Sequence, residues 1–128
     1  MWSHYANSHT GCVVEFDLKK CLPLFERINR VKYDNNYPAY NYLKDQAGPF
    51  NIIYHKSKNW EYENEYRVMG TPGAVDLPDE AISAIIFGCK TSKANKTRIK
   101  NLLSQSKFKN ATIKQATMDQ SSYKLNIV

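Results

Sequence analysis

The chain has 128 residues, enough for one domain, and its 42% hydrophobic against 23% charged residues exclude a disordered segment and allow a packed core. No apolar run approaches the roughly 20 residues that cross a bilayer. Met1-Trp2-Ser3-His4-Tyr5 lacks the basic and apolar regions of a signal peptide, so a cytoplasmic protein without a membrane partner is expected. The net charge of +6 is uneven: from Cys89 onward nine Lys or Arg stand against one acid, Asp119, a net +8, while residues 1–88 hold nine bases and eleven acids, a net −2.

In chain order, Cys12-Val13-Val14-Glu15-Phe16 reads as a strand, rich in β-branched and aromatic residues. Asp17 to Ile28 allows a short helix interrupted at Pro23, and Val31-Lys32-Tyr33 a short strand. Asp34-Asn35-Asn36 predicts a turn, because Asp and Asn side chains bond their own backbone and tolerate left-handed conformations. Residues 37–58 are ambiguous: Gly48-Pro49 marks a break, and Phe50, Ile53 and Tyr54 recur at helical spacing. Glu65 to Met69 reads as a strand, and Gly70 to Gly73, with Pro72 inside, as a turn. The almost continuous apolar run Ile82 to Phe87 reads as a buried strand ending at Gly88. Thr91 or Ser92 then caps a helix of about three turns with Ile99, Leu102 and Leu103 on its apolar face. Ala111 to Ala116 and Tyr123 to Ile127 read as the last strands. Strand 82–87, helix 92–104 and strand 111–116 form a β-α-β unit with parallel strands. The expected fold class is α/β or α+β, a mixed sheet with packed helices, in a single domain over 1–128.

Two segments are too polar and aromatic for plain scaffold. Trp2-Ser3-His4-Tyr5, with His9 and Gly11 following, places a group that titrates near neutral pH beside two hydroxyls. On spacing alone, a structural role for it is the stronger reading. In Lys56-x-x-x-Trp60-Glu61-Tyr62-Glu63-Asn64-Glu65-Tyr66-Arg67, a continuous strand would project Glu63, Glu65 and Arg67 from one face and Tyr62 and Tyr66 from the other. The carboxylates should raise each other's pKa while Arg67 holds a neighbour ionised. Unequal carboxylates suit acid/base or charge-stabilising chemistry; the competing reading is an edge strand with a structural Glu–Arg bridge. The candidate catalytic residues are Glu65, Glu63, His4 and Tyr5, and the candidate ligand contacts Trp2, Ser3, Lys56, Trp60 and Arg67.

Lys90, Lys93, Lys96, Arg98 and Lys100 form an alternative nucleic-acid surface. A solvated lysine-rich face competes with it, since eight of the nine basic residues there are Lys and only Phe87, Phe108 and Tyr123 offer stacking nearby. No metal site is expected, because His4, His9 and His55 lack carboxylate or cysteine partners at ligand spacing. Cys12, Cys21 and Cys89 are odd in number and form no Cys-x-x-Cys, which predicts reduced, mostly buried thiols. The P-loop, dinucleotide-binding, zinc-protease and nucleophile-elbow motifs are all absent from the sequence.

Trp2-Ser3-His4-Tyr5-Ala6, His9-x-Gly11 and Glu15-Phe16-Asp17 resemble the WSHYA-x-x-H-x-G…FD signature of a bacterial family built on a domain of unknown function. Lys56, Trp60, Tyr62-Glu63, Glu65 and Tyr66-Arg67 resemble its K…W-x-YE-x-EYR block, and Ile85-Ile86-Phe87-Gly88 an apolar strand ending in Phe-Gly. The resemblance implies that the chain is the C-terminal part of a longer architecture, with a sheet edge left open to a second copy. By fold-level analogy it also implies an ADP-ribosyltransferase-like enzyme of bacterial or phage conflict that uses NAD. In that analogy Tyr5 and Trp60 stack on nicotinamide, Glu65 or Glu63 bonds the ribose and stabilises its cation, and Ser3, His4 and Arg67 orient ribose and phosphates.

Overall fold

A computed structural model describes residues 2–21, 28–41, 43, 44, 48, 52–70 and 72–128. The chain divides into two compact units, one of Met1–Pro23 with Val75–Val128 and one of Leu24–Ala74. Sheet dominates both, and the fold is α+β. No helix among the described residues is long and apolar enough to cross a membrane.

The first unit is built on four strands: β1 (Cys12–Phe16), β6 (Ile82–Phe87), β7 (Thr112–Met118) and β8 (Leu125–Ile127), in the order β1-β6-β7-β8. β6 and β7 are parallel, with Ala84 opposite Thr112 and Phe87 opposite Gln115, while β1 and β8 pair antiparallel on the flanks. Helix α2 (Lys93–Ser104) makes the crossover, so the expected β-α-β unit is present. Ser92 caps it, accepting the Asn95 N–H at 3.2 Å, whereas the buried Thr91 donates its hydroxyl to the Gly11 carbonyl at 2.7 Å. Lys96 Nζ lies 6.0 Å from the Phe87 ring centroid, setting the first turns of α2 over the end of β6. β6 is the central strand and carries Ala84, Ile85 and Phe87 in the core. Four of the buried apolar residues described in this unit are alanines, Ala6, Ala81, Ala84 and Ala116. Across β6, Lys114 bonds Glu15 at 3.1 Å and Ser83 donates to the same carboxylate at 2.8 Å; first Ser83 and then Lys114 hold its pKa below the ordinary range.

The short helix α1 (Trp2–Tyr5) runs into three consecutive left-handed residues, Asn7, Ser8 and His9, with φ of 47°, 53° and 70°. Each costs roughly 1–2 kcal/mol in an L-residue, so the surroundings must enforce the turn. Gly11 N–H donates to the Ala6 carbonyl at 2.9 Å, and the loop then lies on the end of β6: Lys90 N–H donates to His9 O at 3.0 Å and Gly88 N–H to Gly11 O at 2.9 Å. A Cβ built on Gly88 would collide with the His9 carbonyl.

The second unit uses β2 (Ile28–Arg30), β3 (Lys32–Asp34), β4 (His55–Ser57) and β5 (Tyr66–Val68). β2 pairs antiparallel with β5, and β3 pairs parallel with β4. Val31, 2% exposed, is the switch between the two ladders, its N–H donating to Glu65 O while the Lys32 N–H donates to Tyr54 O. The Asp34 turn is present, Asn36 N–H donating to Asp34 Oδ1 at 2.9 Å.

Several expectations are corrected. Asp17 to Cys21 forms a turn, closed by the Cys21 N–H on the Asp17 carbonyl, and Ile28 is in a strand; the rest of the expected helix, residues 22–27, lies outside the described residues. Pro49 and Phe50 also lie outside them. The last strand begins at Leu125, because Ser121 and Asn126 anchor on Asp119 and hold Tyr123 out in solvent.

Gly88→Ala should destabilise the protein by about 1–3 kcal/mol in urea denaturation, because the atoms it strikes are backbone and cannot rotate away. A variant as stable as the parent would show that the 7–11 loop does not bear on Gly88.

Candidate functional site

The second polar segment is a 3-10 helix followed by a strand. Ser57 caps the helix Lys58–Glu63, and Asn64, at φ 46° and ψ 50°, ends it in the left-handed conformation. Glu63 therefore ends a helix, Glu65 precedes β5 and only Arg67 lies on that strand, which corrects the single strand that the alternation suggested. The reversal at Asn64 instead aims Glu63 and Glu65 at one cation, Lys56 on β4. Glu63, 6% exposed, and Lys56 form an ion pair, and Lys56 Nζ reaches Glu65 Oε2 at 3.0 Å. Arg67 Nε donates to Glu65 Oε1 at 2.6 Å, Arg67 Nη2 to Oε2 at 3.1 Å, and Arg67 Nη1 to the Ile53 carbonyl. The Tyr33 hydroxyl accepts the Glu65 N–H at 2.7 Å, and Arg30 Nη2 donates to Asn64 Oδ1 at 2.7 Å. Lys56 also lies 5.1 Å from the Trp60 ring centroid, and Trp60 and Tyr62 are 6.0 Å apart, both partly exposed.

The electrostatics correct the mutual raising of carboxylate pKa values for Glu65. Arg67 first, and Lys56 with it, pull Glu65 down to about 2 against the desolvation that opposes them. Glu63, ahead of Glu65, raises Lys56 above the ordinary lysine range, and Glu65 raises Arg67. Held down by two cations, Glu65 is a fixed negative charge that does not exchange protons near neutral pH.

Beside it, a cavity of about 320 Å³ opens at the carboxyl ends of β3 and β4, between the Asp34–Pro38 turn and Ile52, His55, Lys56 and Ser57. The Asp34 turn was legible in the sequence, but the roles of Tyr33 and the Ile53 carbonyl were not, because they arise from the parallel β3–β4 pairing across 20 intervening residues.

The first polar segment belongs to the other unit. Trp2, on α1, stacks on His9 with centroids 6.4 Å apart and planes 5° apart; His4 and Tyr5 are exposed, and the Ser3 side chain is outside the described set. Of the basic residues, Lys93, Lys96, Arg98 and Lys100 lie on α2, with Lys90 just before it.

A family model described as "Protein of unknown function (DUF2971)" matches residues 1–68, a span that holds both polar segments and stops short of Phe87-Gly88. No curated protein and no solved structure matches the chain.

Lys56→Met should cost roughly 3 kcal/mol, because it leaves the buried Glu63 without its cation. The depressed pKa of Glu65 means that its contribution to stability is complete above the ordinary 4.5 and is lost as pH falls toward 2. Acid titration of Glu65→Gln by circular dichroism should therefore show a shallower loss of stability between pH 4.5 and 2 than the parent; identical profiles would contradict the ion pairing.

Proposed function

The chain belongs to the DUF2971 family of proteins of unknown function, and for this member we propose ADP-ribosyl transfer from NAD with Glu65 as the charge-stabilising carboxylate. The observation that carries it is the state of that carboxylate. An ionised carboxylate has about four lone-pair positions. Arg67 Nε takes one on Oε1, and Lys56 and Arg67 Nη2 take two on Oε2, leaving one acceptor on Oε1 of a side chain 28% exposed. A fixed negative charge with one open acceptor suits a ribose hydroxyl and the cation that develops as the glycosidic bond breaks. The bond pair leaves with the nicotinamide nitrogen, neutral nicotinamide departs, and C1′ is attacked by water or a target nucleophile that gives up its proton. Trp60, its ring 5.1 Å from Lys56 Nζ, and Tyr62 next to it offer ring surface near the cluster, and the cavity at Lys56 lies at the lower end of small-ligand volumes. NAD is a cytoplasmic substrate, and its consumption suits the conflict setting that the analogy implies.

NAD at 100 times its dissociation constant should stabilise the protein by about 2.7 kcal/mol in thermal denaturation. Glu65→Gln should stay folded and lose at least about 100-fold in nicotinamide release. Unchanged turnover would remove Glu65 from the mechanism, and no shift with NAD would remove the substrate.

A second reading, nucleic-acid binding through the basic region, is favoured by α2. The helix buries no residue, and Lys90, Lys93, Arg98 and Lys100 form no ion pair among the described residues, whereas Lys107 and Lys114 are committed to Asp76 and Glu15. Pairing of two copies along the end strands β1 and β8, which expose Val14, Phe16 and Ile127, belongs to the same tier of proposal. In the nucleic-acid reading, affinity for a single strand falls with salt, and replacing Lys93 and Arg98 by Gln lowers the log–log slope by about 1 to 2. No binding at low salt would sink it.

A further inference from the structure

Stacking platforms are sparse along the basic stretch of sequence, but the fold supplies one from the opposite end of the chain. The left-handed turn at Asn7–His9 brings His9 back onto Trp2, so that an indole and an imidazole lie parallel. Across from them, at the carboxyl end of β7, the turn from Met118 to Leu125 closes a cavity of about 720 Å³. This volume accepts a base with its sugar. The far wall carries the fully exposed ring of Tyr123, with Lys124 beside it.

That wall is fixed in advance. Asp119 Oδ1 accepts the backbone N–H and the hydroxyl of Ser121 at 2.8 and 2.9 Å, and Oδ2 accepts Asn126 Nδ2 at 3.1 Å. The Ser121 N–H first, then the side chains around it, hold the Asp119 pKa far below the ordinary range, so this carboxylate is engaged by the turn. The Lys90 N–H donates to the His9 carbonyl at 3.0 Å, so the backbone of a second basic residue is anchored to the aromatic wall. The cavity thus combines flat rings, hydroxyls and a cationic rim in the part of the chain whose residues from Cys89 onward carry a net +8. Aromatic faces with adjacent lysines are the elements of single-strand recognition.

We propose that this cavity takes one unstacked nucleobase of a single-stranded nucleic acid, with the base against the Trp2 or Tyr123 ring and the flanking phosphates toward Lys124 and Lys90. The proposal rests on the nucleic-acid reading above and adds to it a base-dependent subsite. A free mononucleotide has the same chemistry, and the experiment separates the two.

In a Trp60→Phe background, Trp2 is the remaining tryptophan of the two in the chain and reports on the cavity. A thymidine oligonucleotide, an abasic oligonucleotide of equal length and thymidine monophosphate are titrated at low salt, reading Trp2 fluorescence and, for the oligonucleotides, anisotropy. The expected result is quenching of Trp2 by the thymidine strand and affinity about tenfold above that for the abasic strand, the size of one lost base–aromatic stack. Tyr123→Ala, at a ring in solvent whose removal leaves the fold intact, should shrink that ratio and leave the salt slope unchanged. Equal affinity for both strands with unchanged Trp2 fluorescence would overturn the subsite while leaving the basic surface standing. Binding of neither strand would overturn both. Saturable quenching by the monophosphate without strand binding would overturn the strand as the ligand.

Discussion

The ammonium of Lys56 has three donors and meets two carboxylates and the face of an indole. Each strand of the second unit contributes to that arrangement: β4 supplies the lysine, β5 the arginine behind Glu65, β3 the hydroxyl that accepts the Glu65 N–H, and β2 the Arg30 that bonds Asn64 at the reversal. Removing the cation would leave Glu63 charged in a place where water does not reach it. With two positive and two negative charges, the cluster has no excess charge to attract a phosphate over distance. What it retains is a local acceptor whose ionisation is guaranteed, which is why the proposed chemistry concerns a developing cation at short range.

The first unit depends on a different constraint, the close approach of the 7–11 backbone to Gly88. Two carbonyls and two N–H groups are exchanged there between a strained turn and the end of the central strand. The turn's left-handed residues are tolerated because those bonds, the Thr91 hydroxyl and the Trp2–His9 stack over-determine it. Histidine 9 and the two glycines of the first and third sequence blocks thereby acquire a structural explanation that needs no substrate.

The sequence was most readable where one physical rule acted alone. Ile82 to Phe87 is apolar on both faces because it is central, and the structure makes it the middle strand of β1, β6 and β7. The β-α-β crossover followed from a buried run, a Ser cap and a second β-branched run. Legibility failed where local and distant preferences competed. Alternation at Glu63, Glu65 and Arg67 suggested one strand, but Asn64 adopts a left-handed conformation that no alternation pattern encodes, and the charges met by a different route. β2 and β4 are three residues each and unmarked by composition, since their pairing is imposed from across the unit. The candidate residues Lys56, Trp60, Glu63, Glu65 and Arg67 did converge, while Trp2 found His9 as its neighbour.

The buried alanines of the four-stranded unit have a calorimetric consequence. A methyl group removes little apolar surface from water, and the heat-capacity increment of unfolding grows with the apolar surface that becomes exposed, at about 0.45 cal/K/mol for each Å². A core to which Ala6, Ala81, Ala84 and Ala116 contribute only methyl groups therefore gives a small increment per residue. The free energy of such a unit bends gently with temperature and changes slowly on either side of its maximum.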